Sequence, residues 1–100
     1  MQTLLLAEHF IGPTINGSKF QTIRDGHRDY KTGKVLFTCP KIGWSLIKEI
    51  TEVIHTTVRN CSEEHYHNEG WTSHADMIVC LRRYYPNINM DTDITIIKFK

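Results

Sequence analysis

The segment from Leu46 to Val58 constrains the fold more than any other part of the chain. Its apolar residues recur at positions that fit one stripe of a helix, yet eight of its thirteen residues are β-branched. Branched side chains lose rotamer freedom in a helix and pack well on a pleated surface. The segment therefore predicts a strand, bent or bulged along its length, rather than a helix.

Three further segments are typical of strands. FQTIR at residues 20–24 and VLF at residues 35–37 come before the long strand, and DITIIKFK at residues 93–100 comes after it. In this last segment both faces carry apolar side chains. A strand of that kind is expected to be covered on both sides.

Helices are indicated at three places by the residues at their ends. LAEHFIGPTING predicts a short helix or helical turn that is interrupted at Gly12-Pro13 and ends at Asn16-Gly17. A serine N-cap begins a short acidic helix at residues 62–70, which stops at a glycine. A serine and an aspartate spaced as in a capping box begin another helix, which a proline stops, at residues 73–86.

The order of these elements defines the fold class. Strands and helices follow one another as helix, strands, two helices and strand, which is typical of an α+β domain whose strands curl into a small barrel. The 100 residues suffice for one domain, spanning residues 1–100. The formal net charge of +1 provides no global basic field for holding a long nucleic acid.

The apolar stretch near the first residue and the cysteines indicate a cellular location. LLLA precedes Glu8 and His9 and is too short for a signal peptide or a membrane span. The three cysteines are odd in number, widely spaced and without paired spacing, so reduced thiols are expected. The sequence therefore predicts a cytoplasmic protein with no membrane partner.

The histidines of HYHNEG raise the question of a zinc site. His65 and His67 lie close together, with Cys61 before them and His74 after them. A tetrahedral site usually shows tighter paired ligand spacing, so a polar, half-exposed helix end is the simpler interpretation. Cys39 is interpreted as a core residue because nothing nearby lowers its thiol pKa. No metal and no cofactor are expected.

A cluster of charge lies between residues 19 and 34. Two aspartates accompany five basic residues there, giving a local charge of +3. A solvated loop explains this cluster most simply, and contact with a polar ligand or an RNA phosphate is the alternative. The basic residues are Lys19, Arg24, Arg28, Lys31 and Lys34.

Several motifs, in this order, resemble one family across nearly the whole chain. GSKFQTIRD, YKTGKVLF, SEEHYHNEGWT, RRYYP and a closing IIKF are similar to the small ASCH-domain proteins, and most similar to the bacterial 4-acetylcytidine amidohydrolases. The resemblance implies a PUA-like mixed β-barrel flanked by helices. It also implies removal of the acetyl group from 4-acetylcytidine, or a related acylated pyrimidine nucleoside, to give cytidine and acetate.

The resemblance further implies catalytic residues. The nucleophile falls on Thr22, the proton acceptor on Lys19 and the proton donor on Glu69. The expected partner is a small-molecule nucleoside, and the expected state is a monomer. The alternative is a non-catalytic PUA-like module that binds RNA or a modified nucleotide, because fold alone does not determine function.

The chemistry places conditions on Lys19 and Thr22. An exposed lysine is charged at neutral pH, so Lys19 can act as a base only if burial or a cation such as Arg24 lowers its pKa. Otherwise it would remain a cation that stabilises an oxyanion. Side chains alternate along a flat strand, so the chain must turn or bulge after Gly17 for Lys19 to approach Thr22. A regular strand over residues 18–24 would exclude the pair.

Glu69 and Arg24 also admit ordinary roles. The end of a helix disfavours negative charge, and nearby apolar groups would raise the pKa of Glu69 toward that of a useful acid. Arg24 is expected to bind substrate through the pyrimidine carbonyl or the acetyl oxygen, or else to form a structural ion pair. Four aromatic residues could stack on a base or belong to the core, namely Tyr30, Trp44, Tyr66 and Trp71.

Overall fold

Five strands form one sheet that curls into a half-barrel, and short helices pack against it. The computed structural model describes residues Met1–Lys100. The strands are β1 Gln2–Leu5, β2 Gln21–Asp25, β3 Gly33–Cys39, β4 Trp44–Thr57 and β5 Asp93–Phe99. The helices are α1 Ile11–Asn16, α2 Glu63–Asn68 and α3 His74–Leu81, with 3₁₀ turns at Glu8–Phe10 and Pro40–Ile42.

The long strand β4 holds the sheet together. Its first half pairs with β3 and its second half with β5, and the register shifts between Ile50 and Glu52. The sequence prediction of a bent or bulged strand is therefore confirmed. The strand order is β1-β3-β4-β5-β2, so β1 and β2 are the two edges of the curled sheet.

Strand β1 was missed in the sequence analysis, where LLLA was considered only as a targeting or membrane segment. The strand pairs in parallel with β3, and Leu4 is buried in the core. Four residues carry too little alternation to indicate a strand by themselves. None of the helices combines the length and the apolar character needed to cross a membrane.

The first helical segment differs from its prediction in one respect. Gly12-Pro13 does not interrupt α1 but lies in its first turn, where the missing N–H of proline costs no hydrogen bond. The helical segment instead changes type without a break, from a 3₁₀ turn that ends at Phe10 to the α-helix that begins at Ile11. The predicted end is confirmed, because Gly17 caps the helix with a φ of 87°.

Serine caps begin α2 and α3 as predicted. Ser62 Oγ accepts the backbone N–H of His65, and Ser73 Oγ accepts that of Asp76. Helix α2 ends before Gly70, whereas α3 ends at Leu81, earlier than the predicted stop. The chain after Leu81 continues as turns in which two backbone N–H groups bond to the Leu81 carbonyl.

Strand β5 separates the two clusters of the core. Ile94 and Ile96 pack with Met77 and Leu81, on the side of α3. Ile97 and Phe99 pack on the other side, in a cluster with Leu4, Leu6, Val35, Phe37 and Ile50. The prediction that this strand is covered on both faces is confirmed.

Candidate active site

A cavity of about 380 Å³ lies beside the two edge strands of the sheet. Residues from the end of β1 and from β2 line it, together with the end of α2 and the turns that follow α3. Lys19, Thr22, Arg24 and Glu69 all contribute to its lining, so the four residues singled out in the sequence come together in one place. Most of the remaining lining is apolar.

Arg24 bridges the two edges of the sheet. Its Nη2 donates to the carbonyl of Leu5 at 2.8 Å, and its Nε donates to Thr22 Oγ1 at 3.2 Å. No carboxylate lies within ion-pair distance of the guanidinium, so the structural ion pair considered for Arg24 does not form. Its remaining nitrogen, Nη1, makes no hydrogen bond within the protein. The cavity thus contains a fixed cation whose charge is not paired.

The turn and the burial expected for Lys19 are both present, but its amine makes no hydrogen bond to Thr22 Oγ1. The chain turns at Gly17, and the N–H of Lys19 donates to the Pro13 carbonyl at 3.0 Å, so the regular strand begins only at Gln21. The Lys19 side chain is 10% exposed. Burial lowers the pKa of its amine, and the charge of Arg24 lowers that pKa further, whereas Glu69 raises it.

Glu69 lies beside Lys19 at the end of α2. Its Oε1 is 3.6 Å from Lys19 Nζ, and its own side chain is 10% exposed. Burial raises the pKa of this carboxyl, while the charges of Lys19 and Arg24 and a hydrogen bond from Gln21 act in the opposite direction. Burial therefore favours the neutral form of both partners, and their mutual attraction favours the ion pair.

Thr22 is held by Arg24 rather than by Lys19. The Thr22 side chain is buried on β2, and its Oγ1 accepts the Nε–H of Arg24. No hydrogen bond joins Thr22 Oγ1 to Lys19 Nζ, because the lysine donates instead to the Gln21 carbonyl at 2.7 Å. The two side chains therefore line the same cavity without a hydrogen bond between them.

Gln21 is a buried polar residue that the sequence analysis did not identify. It is only 1% exposed, and its Nε2 donates both to the His65 carbonyl at 2.8 Å and to Glu69 Oε2 at 3.2 Å. Its Oε1 accepts the Nδ2–H of Asn68 at 3.0 Å. A glutamine within FQTIR carries no local signal of this role, because its partners lie more than forty residues along the chain.

Aromatic residues of the cavity were largely missed as well. Of the four considered in the sequence, only Trp71 lines the cavity. Tyr84, Tyr85 and Phe10 also line it, and the Phe10 ring centroid lies 4.4 Å from Lys19 Nζ. The paired tyrosines of RRYYP were the available signal. The other three candidates pack around the core clusters, namely Tyr30, Trp44 and Tyr66.

A second cavity of about 420 Å³ adjoins the first. It shares Lys19, Glu69, Trp71 and Tyr84 with the first cavity, and it adds polar residues such as Asn68. The lysine and the glutamate therefore contribute to the walls of both.

The cysteines and histidines form no comparable centre. All three cysteines are free, and Cys39 and Cys61 are buried. Burial raises the pKa of the Cys61 thiol to about 11, which keeps it protonated at neutral pH. No three His, Cys, Asp or Glu side chains come together in a way that could hold a metal ion.

The four side chains provide the chemical groups that acyl transfer to a hydroxyl requires. They include a hydroxyl beside a fixed guanidinium, an amine whose pKa is lowered and a carboxyl whose pKa is raised. All of these groups line one largely apolar cavity of the size that holds small molecules. No protein-family model matches the chain, and no curated protein or solved structure shows significant similarity to it.

Proposed function

We propose that this protein is an amidohydrolase that removes the acetyl group from 4-acetylcytidine, or from a related acylated pyrimidine nucleoside, to give cytidine and acetate. The observation that carries the proposal is the buried Lys19–Glu69 pair, which shares one cavity with Thr22 and Arg24. The resemblance of the sequence motifs to the ASCH-domain amidohydrolases supports the same activity. We also propose that the curled α+β sheet is a PUA-like barrel.

The first step forms a tetrahedral adduct. Thr22 Oγ attacks the carbonyl carbon of the acetyl amide while its proton passes to the neutral amine of Lys19, directly or through one water. The carbonyl oxygen becomes an oxyanion. Arg24 is the cation best placed to stabilise it, because its guanidinium already contacts Thr22 Oγ1 and has one nitrogen to spare.

The second step releases cytidine. Glu69 donates its proton to the exocyclic nitrogen as the bond between carbon and nitrogen breaks, leaving acetyl-Thr22 and a Glu69 carboxylate. Water then attacks the ester, the proton of the water passes to Glu69, and the proton held by Lys19 returns to Thr22 Oγ as acetic acid departs. Both catalytic side chains regain their starting protonation states.

Burial supports this use of a lysine and a glutamate. Burial lowers the pKa of the Lys19 amine and raises that of the Glu69 carboxyl, so desolvation favours the neutral state that the mechanism requires, whereas the attraction between the two charges favours the ion pair. A substrate that expels water from the cavity would strengthen this preference. In the alternative role, Lys19 stays charged and stabilises the oxyanion, and another group must then take the proton of Thr22.

The cavity also fits the proposed substrate class. Its volume of about 380 Å³ lies in the range that accommodates small ligands. The flat, apolar surfaces of Trp71, Tyr84 and Tyr85 suit a pyrimidine ring, while Arg24 suits a carbonyl oxygen. Three free cysteines fit the reducing cytoplasm, and the mechanism requires no cofactor.

The alternative function, binding of RNA without catalysis, has less support from the charge distribution. Within residues 19–34, three of the five basic side chains have carboxylate partners, namely Lys19, Arg28 and Lys31. Arg24 lines the cavity, which leaves Lys34 as the basic residue without a partner on this surface. A phosphate-binding surface would present several unpaired cations.

The test is a direct assay of turnover. Incubating the purified protein with free 4-acetylcytidine should release cytidine and acetate, which chromatography separates. Thr22→Ala and Glu69→Gln should abolish release, whereas the exposed residues Thr51 and Glu52 of β4 provide matched controls as Thr51→Ala and Glu52→Gln. If the unmodified protein forms no cytidine, the proposal is wrong. An RNA-binding module would instead show strongly salt-dependent RNA affinity and no acetate.

A further inference from the structure

We propose that Gln21 is a positioning residue for Glu69, and that its side-chain N–H occupies Glu69 Oε2 so that Oε1, beside Lys19, carries the acidic proton. This inference deepens the proposed function and rests on it for the catalytic meaning of that proton. The contact itself is independent of any substrate. It joins the start of β2 to the end of α2 through one buried side chain.

The orientation of the Gln21 amide is determined by its surroundings. Its Nε2 donates to the backbone carbonyl of His65 at 2.8 Å, and its Oε1 accepts the amide N–H of Asn68 at 3.0 Å. Rotating the amide by half a turn would place Oε1 against the His65 carbonyl, and neither group could donate. The nitrogen of Gln21 must therefore face Glu69.

A donor at Oε2 decides where the Glu69 proton resides. The unprotonated oxygen of a carboxylic acid is the better acceptor, so the N–H of Gln21 favours protonation on Oε1. Oε1 is the oxygen that lies 3.6 Å from Lys19 Nζ, and Glu69 lines the cavity. The proton is thus held on the side of the carboxyl that approaches the other catalytic groups.

Gln21 also holds the second member of the pair. Its backbone carbonyl accepts the Nζ–H of Lys19 at 2.7 Å, while its side chain holds Glu69. One residue therefore sets the position of both the base and the acid. It also makes the side-chain hydrogen bonds that tie β2 to α2.

Other charged and titratable groups near Glu69 act together with Gln21. Burial raises the pKa of Glu69, and the ammonium of Lys19, the Gln21 N–H and the guanidinium of Arg24 act against that rise. The remaining titratable groups that interact with Glu69 or line its cavities are Cys39, Lys41, Cys61, Tyr84 and Tyr85, with His9, Cys80 and Arg83 around the second cavity. None of these groups donates a hydrogen bond to Oε2, where Gln21 is the donor.

The test measures the pKa of Glu69 directly. Carboxyl carbons labelled with ¹³C in glutamate report each titration by NMR, and Glu69→Gln identifies the signal of Glu69. Gln21→Met keeps the length of the side chain but removes its donor, so the Glu69 pKa should rise by about one unit. The acid limb of kcat/KM for 4-acetylcytidine should move to higher pH by the same amount, and kcat should fall with KM little changed.

A second variant and a control separate positioning from stability. Gln21→Glu keeps the volume and places a second carboxyl beside Glu69, which should raise the pKa of the pair more strongly. Thr95→Val removes two buried hydrogen bonds of β5, to Arg28 and Gly26, outside the cavity. This control should lower the melting temperature and leave both the Glu69 pKa and the acid limb unchanged.

Two results would decide against the inference. An unchanged Glu69 pKa in Gln21→Met, or in Gln21→Glu if the first variant does not fold, would show that Gln21 does not act on this carboxyl. If a Gln21 variant loses activity only in proportion to the fraction of its molecules that are unfolded, then Gln21 has a structural role alone. If the NMR shift appears but the unmodified protein releases no cytidine, the proposed function fails and the control of Glu69 by Gln21 stands.

Discussion

Lys19 Nζ and Glu69 Oε1 lie 3.6 Å apart, and each side chain exposes only 10% of its surface. A lysine and a glutamate at this separation on the protein surface would form an ordinary ion pair of small energetic consequence. In the cavity wall, burial works against both charges. The two residues can therefore form either an ion pair or a neutral pair. Both states hold the same number of protons and differ in which side chain carries the proton.

The first prediction concerns pH. The ion pair and the neutral pair both hold one proton between them, so activity should follow a bell-shaped curve whose limbs belong to the pair. Burial raises the pKa of Glu69 and lowers that of Lys19. The acid limb should therefore lie above the ordinary glutamate value of about 4.3, and the alkaline limb below the ordinary lysine value of about 10.4. Measuring kcat/KM for 4-acetylcytidine against pH checks both limbs; limbs at the ordinary values would contradict the prediction.

The second prediction distinguishes a base from a cation at Lys19. Arginine stays protonated in proteins, so Lys19→Arg keeps the charge and cannot accept the proton of Thr22. We expect Lys19→Arg to lose about 10²–10⁴-fold in kcat, as Lys19→Met should. The exposed Lys31→Arg serves as the control, because Lys31 pairs only with Asp29 at the surface. Substantial activity in Lys19→Arg would instead assign Lys19 to oxyanion stabilisation.

The third prediction concerns stability. Lys19→Met leaves the Glu69 carboxyl buried without its partner, which should cost about 3 kcal/mol at neutral pH. The double variant Lys19→Met/Glu69→Met removes both charges and should regain about 2 kcal/mol of that loss, since Gln21 keeps its bond to the His65 carbonyl. Urea denaturation of the single and double variants measures both values. Additive losses would show that the two side chains are not energetically coupled.

The same single variant has a defined pH dependence. The folded-state pKa of Glu69 is raised above its unfolded value, so the folded state binds the proton more tightly. The associated stabilisation is present below the unfolded pKa and is lost as pH rises through the folded pKa. Lys19→Met should raise that pKa further by removing a cation, so its deficit in the free energy of unfolding should shrink as the solution is acidified. A deficit that does not change with pH would exclude a buried, unpaired carboxyl as the cause.

The fourth prediction concerns Arg24. Arg24→Ala removes the guanidinium beside Thr22 and the bond that joins the edge strands through the Leu5 carbonyl. We expect kcat/KM to fall by about 10²–10³-fold, the range seen when one oxyanion donor is removed. Stability should fall by about 1 kcal/mol from the lost hydrogen bond. Arg59→Ala is the matched control, because Arg59 pairs with Asp91 at the exposed surface, and it should retain activity.

Local chemistry explains which features could be predicted from the sequence. The β-branched side chains of Leu46–Val58 favour a strand through their own restricted rotamers. Gly17 favours a turn through its own backbone freedom. The position of Glu69 at the end of α2 follows from the serine cap before it and the glycine after it. Each of these properties depends on neighbours within a few residues.

Features that depend on distant partners could not be predicted in this way. Strand β1 exists because β3 pairs with it in parallel, and four residues show no period that reveals such a partner. Gln21 is buried because α2 closes over it, so its role depends on a contact with a residue 48 positions away. Arg24 contacts Thr22 two residues along β2, which alternation allows, but its bond to Leu5 depends on how the sheet curls.

The open edge of β1 links recognition to the cohesion of the sheet. This four-residue strand is paired on one side only, and its last residue, Leu5, lines the cavity and accepts the hydrogen bond from Arg24. A ligand that fills the cavity would contact this edge strand, which has few backbone hydrogen-bond partners. Occupancy should therefore slow amide hydrogen exchange in β1 more than in β4, which is paired along both of its halves. The hydrogen-exchange rate of β1 would thus report whether the cavity is occupied.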